Sequence, residues 1–326
     1  MGNSSRVFVT RQLPGPAFDR LRQECDVRVW PGLMPPDRQS LLQEVADCEG
    51  VLALLTDRVD AELMDAAGGG LRVISNYAVG YNNIDLAAAA ARGISVGNTP
   101  DVLTDATADM AVTLMLAAAR RVREASDEVR RGDWKTWDPR GWLGVEPGGK
   151  TLGIVGMGRI GEAVARRMVG GWQMNLLYTS RSAKPDVDSR LGGRKVDLET
   201  LMAESDFLSV HVSLSEQTKH LIDAAMLSRV RPDAVLVNTA RGEVIDQEAL
   251  ADAVEQGRLR GVGLDVTTPE PLPTSDRLVG LPGVTIVPHI GSATTRSRYA
   301  MTEIAVDNLL AGLRGDPLRC PVMLEG

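Results

Sequence analysis

The segment from Lys150 to Arg167, which reads KTLGIVGMGRIGEAVARR, constrains the fold of this chain most strongly. A short apolar run, 153–155, leads into the pattern G-x-G-x-x-G, and residues typical of a helix follow. In such a strand–loop–helix unit the first glycine makes a tight turn, the second lets the backbone approach phosphates, and the third lets the helix pack on the strand. The helix N-terminus then faces the anion. The segment therefore predicts a dinucleotide site formed by Gly156, Gly158 and Gly161.

Composition and charge limit the classes of function that this chain can have. The chain has 326 residues, enough for two domains, and its 44% hydrophobic and 24% charged content is that of an ordinary globular protein. The net charge of −7 argues against nucleic acid or an anionic membrane surface as a partner. No apolar run approaches the roughly 18–20 residues that span a membrane. Since Cys25, Cys48 and Cys320 show neither metal-binding nor redox spacing, we expect a cytoplasmic protein without a metal site.

Apolar strand-like segments alternate with helical segments on both sides of the glycine loop. Such alternation predicts parallel sheets with helices on both faces. The first series starts at Arg6, the second starts at Thr151, and a last predicted helix, Thr294 to Leu313, returns to the first domain. We therefore expect two doubly wound parallel-sheet α/β domains. A Rossmann dinucleotide-binding domain at residues 104–292 is inserted in a flavodoxin-like substrate domain at residues 1–103 and 293–326.

Two segments between these series have their own character. Asp105 to Ser126 is rich in alanine and predicts one long helix. The following loop, 131–147, carries three tryptophans among glycines and prolines. Because exposed aromatic rings are unfavourable in water, we expect this loop to pack either within its own subunit or against a second copy of the chain.

The end of the predicted strand Met174 to Ser180 bears on the choice of cofactor. An NAD-binding unit usually has Asp or Glu about 20 residues after the glycine loop, where this chain has Ser180, Arg181 and Ser182. An arginine can pair with a 2′-phosphate, which a carboxylate would repel. The sequence therefore predicts NADPH as the preferred cofactor, with NADH possible. The alternative for Arg181 is an ordinary solvated loop residue.

Four reactive side chains of the second domain follow predicted strands. Ligands of an open α/β sheet bind outside the carboxyl ends of its strands. We therefore expect one edge of the sheet to gather Arg241, Asp265, Glu270 and His289. Taken alone, Arg241 could instead form a surface ion pair, and Glu270 could cap a helix or sit in a turn before Pro271.

The chain contains three histidines. We expect His211, inside a predicted strand at residues 207–212, and His220, before the apolar pair 221–222, to be structural. His289 comes at a strand end, where loops carry functional residues. Since histidine titrates near neutrality, His289 suits proton transfer to a carbonyl oxygen, and a nearby carboxylate such as Glu270 would raise its pKa and hold the ring.

Four motifs carry a family resemblance: VGMGRIGEAVARR, NTARGEVIDQEAL, GLDVTTPEPLP and VPHIGSAT. At these spacings the chain resembles, over nearly its whole length, the D-isomer-specific 2-hydroxyacid dehydrogenases. The segments NTPDVLTDATADMAV and NNID, with the tryptophan loop, are most similar to glyoxylate/hydroxypyruvate reductases. The resemblance implies an NAD(P)-dependent enzyme, a homodimer, that reduces small 2-oxo acids such as glyoxylate and hydroxypyruvate to glycolate and D-glycerate.

The resemblance also implies roles for individual residues. Arg241 would hold the substrate carboxylate and carbonyl, His289 would be the general acid–base, and Glu270 would keep His289 protonated. The implied substrate-binding residues are Val79, Gly80, Arg241, His289, Ser292 and, reaching in from the partner subunit, Trp142. The implied cofactor-binding residues are Gly156, Gly158, Arg159, Ile160, Gly161, Ser180, Arg181, Ser213, Thr239, Asp265 at the nicotinamide carboxamide, and Gly291.

Other members of the same fold family remain as alternatives. Phosphoglycerate dehydrogenases often carry a C-terminal extension, whereas this chain stops soon after its last predicted helix. An NAD-dependent enzyme of the D-lactate type is a further possibility. Phosphite dehydrogenase has a lysine in the loop that corresponds to residues 76–80, where this chain has none. A corepressor that senses the dinucleotide is the rival from another class, and the complete set of Arg241, Glu270 and His289 favours an enzyme.

Overall fold

The computed structural model describes residues 4–323. The chain divides into two compact units. The first unit runs up to Leu103 and resumes at Ala293, and the second unit is Thr104–Ser292. No helix in the described residues combines the length and the apolar character that a membrane crossing requires.

Strands and helices alternate along each unit. Up to Leu103 they are β1 (Arg6–Val9), α1 (Pro16–Glu24), β2 (Asp26–Val29), α2 (Arg38–Glu44), β3 (Gly50–Ala53), α3 (Ala61–Ala67), β4 (Val73–Asn76), α4 (Leu86–Ala91) and β5 (Ser95–Gly97). The second unit has α5 (Thr104–Ala119), α6 (Val122–Arg131), β6 (Thr151–Val155), α7 (Arg159–Trp172), β7 (Asn175–Thr179), α8 (Pro185–Leu191), β8 (Arg194–Lys195), α9 (Leu198–Glu204), β9 (Phe207–Val210), α10 (Ala224–Leu227), β10 (Ala234–Asn238), α11 (Gln247–Glu255), β11 (Leu259–Leu264), α12 (Arg277–Gly280) and β12 (Val284–Ile286). The last helix, α13 (Thr295–Arg314), belongs to the first unit.

Each unit is built on one parallel sheet. Within residues 4–323, the sheet of the first unit has the order β2–β1–β3–β4–β5, which is the flavodoxin-like order. The sheet of the second unit has the order β12–β11–β10–β9–β6–β7–β8. This is the Rossmann order with an added strand, and its switch point lies between β6 and β9. The predicted fold class is confirmed.

The strands of the second sheet end in register. Cα pairing joins the last residues of six neighbouring strands, which are Thr179, Val155, Val210, Asn238, Leu264 and Ile286. The residues that directly follow these strands therefore lie along a single edge of the sheet.

The interior explains why these segments form buried strands. Ile154, Val155 and Leu236 have no exposed surface. Ile154 packs in the cluster on one face of the second sheet, whereas Val155 and Leu236 pack in the cluster on the other face. Since successive side chains of a strand point to opposite faces and helices cover both, the strand sequence is apolar throughout.

The prediction of one long helix over residues 105–126 is wrong, because the chain forms two helices there. Helix α5 ends at Ala119 and α6 begins at Val122, with Arg121 in the left-handed region at φ 54°. The Arg121 guanidinium stacks 4.7 Å from the Trp142 ring centroid, and its Nε lies 3.2 Å from a carboxylate oxygen of Glu124. These contacts hold the bend, which helix propensity alone does not reveal because good helix formers flank it on both sides.

A second correction concerns the strand predicted for residues 207–212. Strand β9 ends at Val210, so His211 lies beyond the strand at its carboxyl end. The short edge strand β8 was not predicted from the sequence. Two exposed basic residues carry no strand periodicity, and they pair here because β7 offers an open edge.

Gly161 and Gly170 of helix α7 provide a matched test of packing. A Cβ on Gly161 would lie 2.3 Å from the carbonyl oxygen of Gly156, whereas one on Gly170 would meet no atom within 4 Å. We expect Gly161→Ala to lower the free energy of unfolding by about 1–3 kcal/mol through overpacking. We expect Gly170→Ala to raise it by up to about 1 kcal/mol, because alanine favours the helix. Urea unfolding measures the free energy of unfolding of both variants. Equal changes in the two variants would contradict the close contact at Gly161.

Candidate functional site

The glycine loop after β6 offers open backbone donors at a helix N-terminus. Gly156 has φ 99°, and its ideal Cβ would lie 2.8 Å from the carbonyl carbon of His211, so only glycine fits there. Gly158 is the N-cap of α7, and a Cβ on it would meet open space. Within residues 4–323, the N–H groups of Met157, Gly158 and Ile160 donate no hydrogen bond. Open N–H groups and a close backbone approach fit a bound pyrophosphate.

The end of β7 lies beside this loop. The N–H of Gly156 donates to the carbonyl of Thr179 at 3.0 Å. The hydroxyl of Ser180 donates to the carbonyl of Ser182 at 2.6 Å, which shapes the turn that contains Arg181. The first carboxylate after the strand is Asp186, in the first turn of α8. The loop thus presents cationic and hydroxyl groups where an NAD-binding unit usually has an acid.

The loop after β9 reaches the same edge. His211 Nε2 lies 2.8 Å from the hydroxyl of Ser209, and Nδ1 lies 3.5 Å from that of Thr239. Burial lowers the pKa of His211 to about 3, so its ring is neutral at physiological pH. The carbonyl of Ser213, an exposed residue, accepts from the Thr218 hydroxyl at 2.6 Å. His211 therefore lies beside the glycine loop, where the sequence analysis did not place it.

The loop after β10 fixes Arg241 through backbone contacts. Asn238 donates from Nδ2 to the carbonyl of Arg241 at 2.8 Å and accepts from the N–H of Ala240 at 2.9 Å. A Cβ on Gly242 would lie 2.2 Å from the carbonyl carbon of Thr267, so this loop packs tightly on the one after β11. Burial lowers the pKa of Arg241 and the charge of Glu270 opposes that shift. The guanidinium remains positively charged at any physiological pH.

Glu270 and His289 form the central contact of the site. His289 Nδ1 lies 2.8 Å from Glu270 Oε2, and the two side chains are 25% and 31% exposed. The other carboxylate oxygen of Glu270 accepts from the N–H of Thr267 at 3.1 Å. Burial is the largest single influence on the pKa of Glu270 and raises it, but the hydrogen bond and charge of His289, with help from Thr267 and Arg241, bring the pKa below its ordinary value. The carboxylate is therefore ionised at neutral pH.

Asp265 holds the backbone around His289. The buried carboxylate accepts from the N–H of Ile290 at 2.6 Å and from the N–H of Gly291 at 2.8 Å. The N–H of His289 donates to the Asp265 carbonyl at 2.9 Å. Burial raises the pKa of Asp265, while these N–H donors and the charge of His289 lower it. These contacts hold His289 at φ 53° and set the course of the chain into Ser292.

One residue that the sequence analysis missed supports the Glu270 loop. Gln247, the first residue of α11, accepts from the N–H of Thr268 at 2.9 Å and donates to a carboxylate oxygen of Asp276 at 3.1 Å. It thereby ties the loop after β11 to the N-terminus of α12. No motif singles out Gln247, because a polar residue behind an aspartate N-cap is common in helices.

Trp142 contacts residues of its own unit. Its indole Nε1 donates to the carboxylate of Glu128, and its ring receives the Arg121 guanidinium. The Trp142 side chain keeps 36% exposure. Trp142 therefore packs against α6 and the bend before it, through Glu128 and Arg121.

Val79 and Gly80 belong to the first unit. Asn98 donates from Nδ2 to the carbonyl of Val79 at 2.8 Å, and Asn76 donates from Nδ2 to the carbonyl of Gly80 at 2.9 Å. The N–H groups of Val79 and Gly80 donate no hydrogen bond to the part of the chain that the structure describes. The two amide side chains thus hold a loop whose backbone donors are open to a ligand.

Comparisons with known proteins agree with this architecture. The family model of the D-isomer specific 2-hydroxyacid dehydrogenase, NAD binding domain, matches residues 112–291. A glyoxylate reductase of Korarchaeum cryptofilum is 46% identical over 95% of this chain and 93% of its own length. The crystal structure of the TT0316 protein of Thermus thermophilus has a TM-score of 0.91 and 47% identity, covering 98% of this chain and 100% of that chain.

An NADPH-dependent glyoxylate/hydroxypyruvate reductase of Sinorhizobium meliloti, solved with NADP and malonate, has a TM-score of 0.85 and 32% identity. The match covers 98% of this chain and 97% of that chain. The family model spans more than half of the chain, and the relatives match it nearly end to end. The residues matched by this NAD-binding family model include the glycine loop with its open backbone donors. The chain belongs to the D-isomer-specific 2-hydroxyacid dehydrogenase family.

Proposed function

We propose that this protein uses NADPH to reduce small 2-oxo acids, glyoxylate and hydroxypyruvate, to glycolate and D-glycerate. The observation that carries the proposal is the 2.8 Å contact between Glu270 and His289 in the same unit as the dinucleotide loop. The relatives named glyoxylate reductase and glyoxylate/hydroxypyruvate reductase support this choice of substrates. A bound reduced nicotinamide would supply the hydride to the substrate carbonyl carbon.

In this proposal His289 is the general acid. Its Nδ1 engages Glu270, which leaves Nε2 as the nitrogen that gives a proton to the carbonyl oxygen. The ionised Glu270 stabilises the protonated ring before transfer and holds its orientation. Asp265 keeps the His289 backbone in place and, in the same proposal, faces the nicotinamide carboxamide, with Gly291 and Ser292 beside the ligands.

Arg241 is the proposed electrostatic partner of the substrate. A guanidinium presents a planar set of donors that matches a carboxylate and stabilises the negative charge that develops on the carbonyl oxygen. Its backbone is held by Asn238 and by the packing of Gly242, which fixes the point where the side chain leaves the loop. For the first unit we propose that the open N–H groups of Val79 and Gly80 receive the substrate carboxylate.

The preference for NADPH is supported by the loop after β7. That loop carries Ser180 and Arg181 in place of an acid, and a 2′-phosphate needs a cation there. The related Sinorhizobium meliloti reductase is named NADPH-dependent. The remaining cofactor contacts in the proposal are Gly156, Gly158, Arg159, Ile160, Gly161, Ser213 and Thr239.

A homodimer is also part of the proposal. Trp134 and Trp137 are 63% and 79% exposed, and Val129 of α6 and Leu143 add further exposed apolar surface. An apolar surface of this kind is typical of a protein interface. We propose that a second copy covers it and that Trp142 reaches the partner's substrate site.

The proposed reaction is tested directly by initial rates with NADPH and NADH, each against glyoxylate, hydroxypyruvate and pyruvate. We expect fast oxidation of NADPH with the first two acids, because the loop after β7 carries Arg181 and the relatives are named for these two substrates. Faster oxidation of NADH would overturn the cofactor preference and keep the reaction class. Tight cofactor binding without turnover of any of these acids would overturn the proposed reaction and favour a dinucleotide sensor.

His289 and His220 provide a matched pair for the proposed acid. Both are histidines in the left-handed region, at φ 53° and 50°, which asparagine adopts more readily than most residues. We expect His289→Asn to lower kcat at least ~100-fold, because no group remains to donate the proton. We expect His220→Asn to leave kcat within about twofold, since that residue lies outside the proposed site. Comparable losses in the two variants would exclude His289 as the acid.

Arg241 is tested through the separation of substrate and cofactor effects. We expect Arg241→Ala to lower kcat/KM for glyoxylate at least ~100-fold, the scale seen when a charge-stabilising donor is removed. The Kd for NADPH should change by less than about threefold, because Arg241 is proposed to contact the substrate. Steady-state kinetics and a fluorescence titration measure the two quantities. A near-normal kcat/KM would remove Arg241 from the proposal.

A further inference from the structure

Lys195 lies at the loop that follows β7. It is the last residue of the edge strand β8 and pairs in parallel register with Tyr178 of β7. Its Nζ donates to the carbonyl of Arg181 at 3.3 Å. The residue before this loop is Thr179, the last of β7, whose carbonyl accepts from the N–H of Gly156. The Lys195 ammonium therefore contacts the same short segment, residues 179–181, that hydrogen-bonds to the glycine loop.

The Lys195 ammonium bonds a neutral group, the carbonyl of Arg181. Within residues 4–323 neither Lys184 nor Lys195 forms an ion pair with a carboxylate. The neighbouring arginines differ, because Arg190 pairs with Glu162 at 2.6 Å and Arg194 pairs with Glu204 at 2.7 Å. The partner of Lys195 is a neutral carbonyl at the surface, and an anionic ligand can replace it at small cost.

The ligand that suits this position is a phosphate on the adenosine ribose. In a Rossmann domain the ribose hydroxyls lie at the end of the second strand, which is β7 here. A phosphate monoester carries a charge of about −1.5 to −2 at neutral pH and three strong acceptor oxygens, more than one guanidinium satisfies. Lysine binds phosphate as a point charge on a flexible stem, so it can approach from the neighbouring strand.

We infer that Lys195 is a second cation for the 2′-phosphate of NADPH and acts with Arg181 to set cofactor specificity. The inference rests on the proposed use of NADPH and adds a residue from a different strand. The Lys195 ammonium exchanges the Arg181 carbonyl for a phosphate oxygen when the cofactor binds. NADH lacks that phosphate and gains nothing from the exchange.

The experiment compares Kd values for NADPH and NADH, measured by nicotinamide fluorescence at one low ionic strength. We expect Lys195→Ala to raise the Kd for NADPH about three- to tenfold and to leave the Kd for NADH within about twofold. Lys195→Arg keeps the positive charge and should retain NADPH affinity within about twofold. An unchanged ratio of the two Kd values in Lys195→Ala overturns the inference.

Arg194→Ala is the matched control, because it removes the same charge from the neighbouring position of the same strand. The guanidinium of Arg194 is held by Glu204, so we expect its loss to leave the ratio of the two Kd values unchanged. An equal rise in both variants of the Kd for NADPH relative to the Kd for NADH would indicate only an effect of net charge and would also overturn the inference. The ratio of the two Kd values in the unaltered protein tests the proposed NADPH preference. The role of Lys195 is tested separately, by the change in that ratio on substitution.

Discussion

The common register of the strand ends in the second unit is the constraint on which the candidate site depends. Because Val155, Val210, Asn238 and Leu264 pair across the sheet as neighbours, the residues after them emerge side by side. Backbone hydrogen bonds thus place the glycine-rich turn and several polar side chains along one edge of the sheet. No ion pair or metal is needed for that alignment. Short loops are then enough to bring these side chains close to one another.

Electrostatic balance in the site depends on backbone donors as much as on side chains. The Asp265 carboxylate is buried, and two N–H groups compensate its charge. The Glu270 carboxylate shares its negative charge between one N–H group and the His289 ring. Backbone N–H groups therefore help to compensate both carboxylates next to the His289 ring.

Sequence patterns predict what depends on buried strands and glycines, and they miss what depends on contacts between residues distant in the sequence. The apolar run at residues 153–155 and the glycines after it indicate a strand, a turn and a helix, which the structure contains. The bend at Arg121 depends on a ring 21 positions further along the chain, so local propensity cannot reveal it. The strand β8 and the support from Gln247 likewise exist only because a distant partner is present. The roles of Arg241, Glu270 and His289 remain proposals from chemistry and family.

Strand β8 lies at the edge of the second sheet, which bears on how cofactor preference could change in evolution. The loop with Arg181 and the strand with Lys195 lie at one end of the sheet order, whereas Arg241, Asp265 and His289 follow strands on the far side of β6. If the loop and β8 bind the cofactor as proposed, substitutions between residues 180 and 195 would change the dinucleotide preference without repacking the loops proposed to carry the reaction. Selection for a different redox carrier and selection for a different substrate would act on separate segments. In that proposed arrangement, the sheet order would let cofactor preference and substrate preference evolve separately.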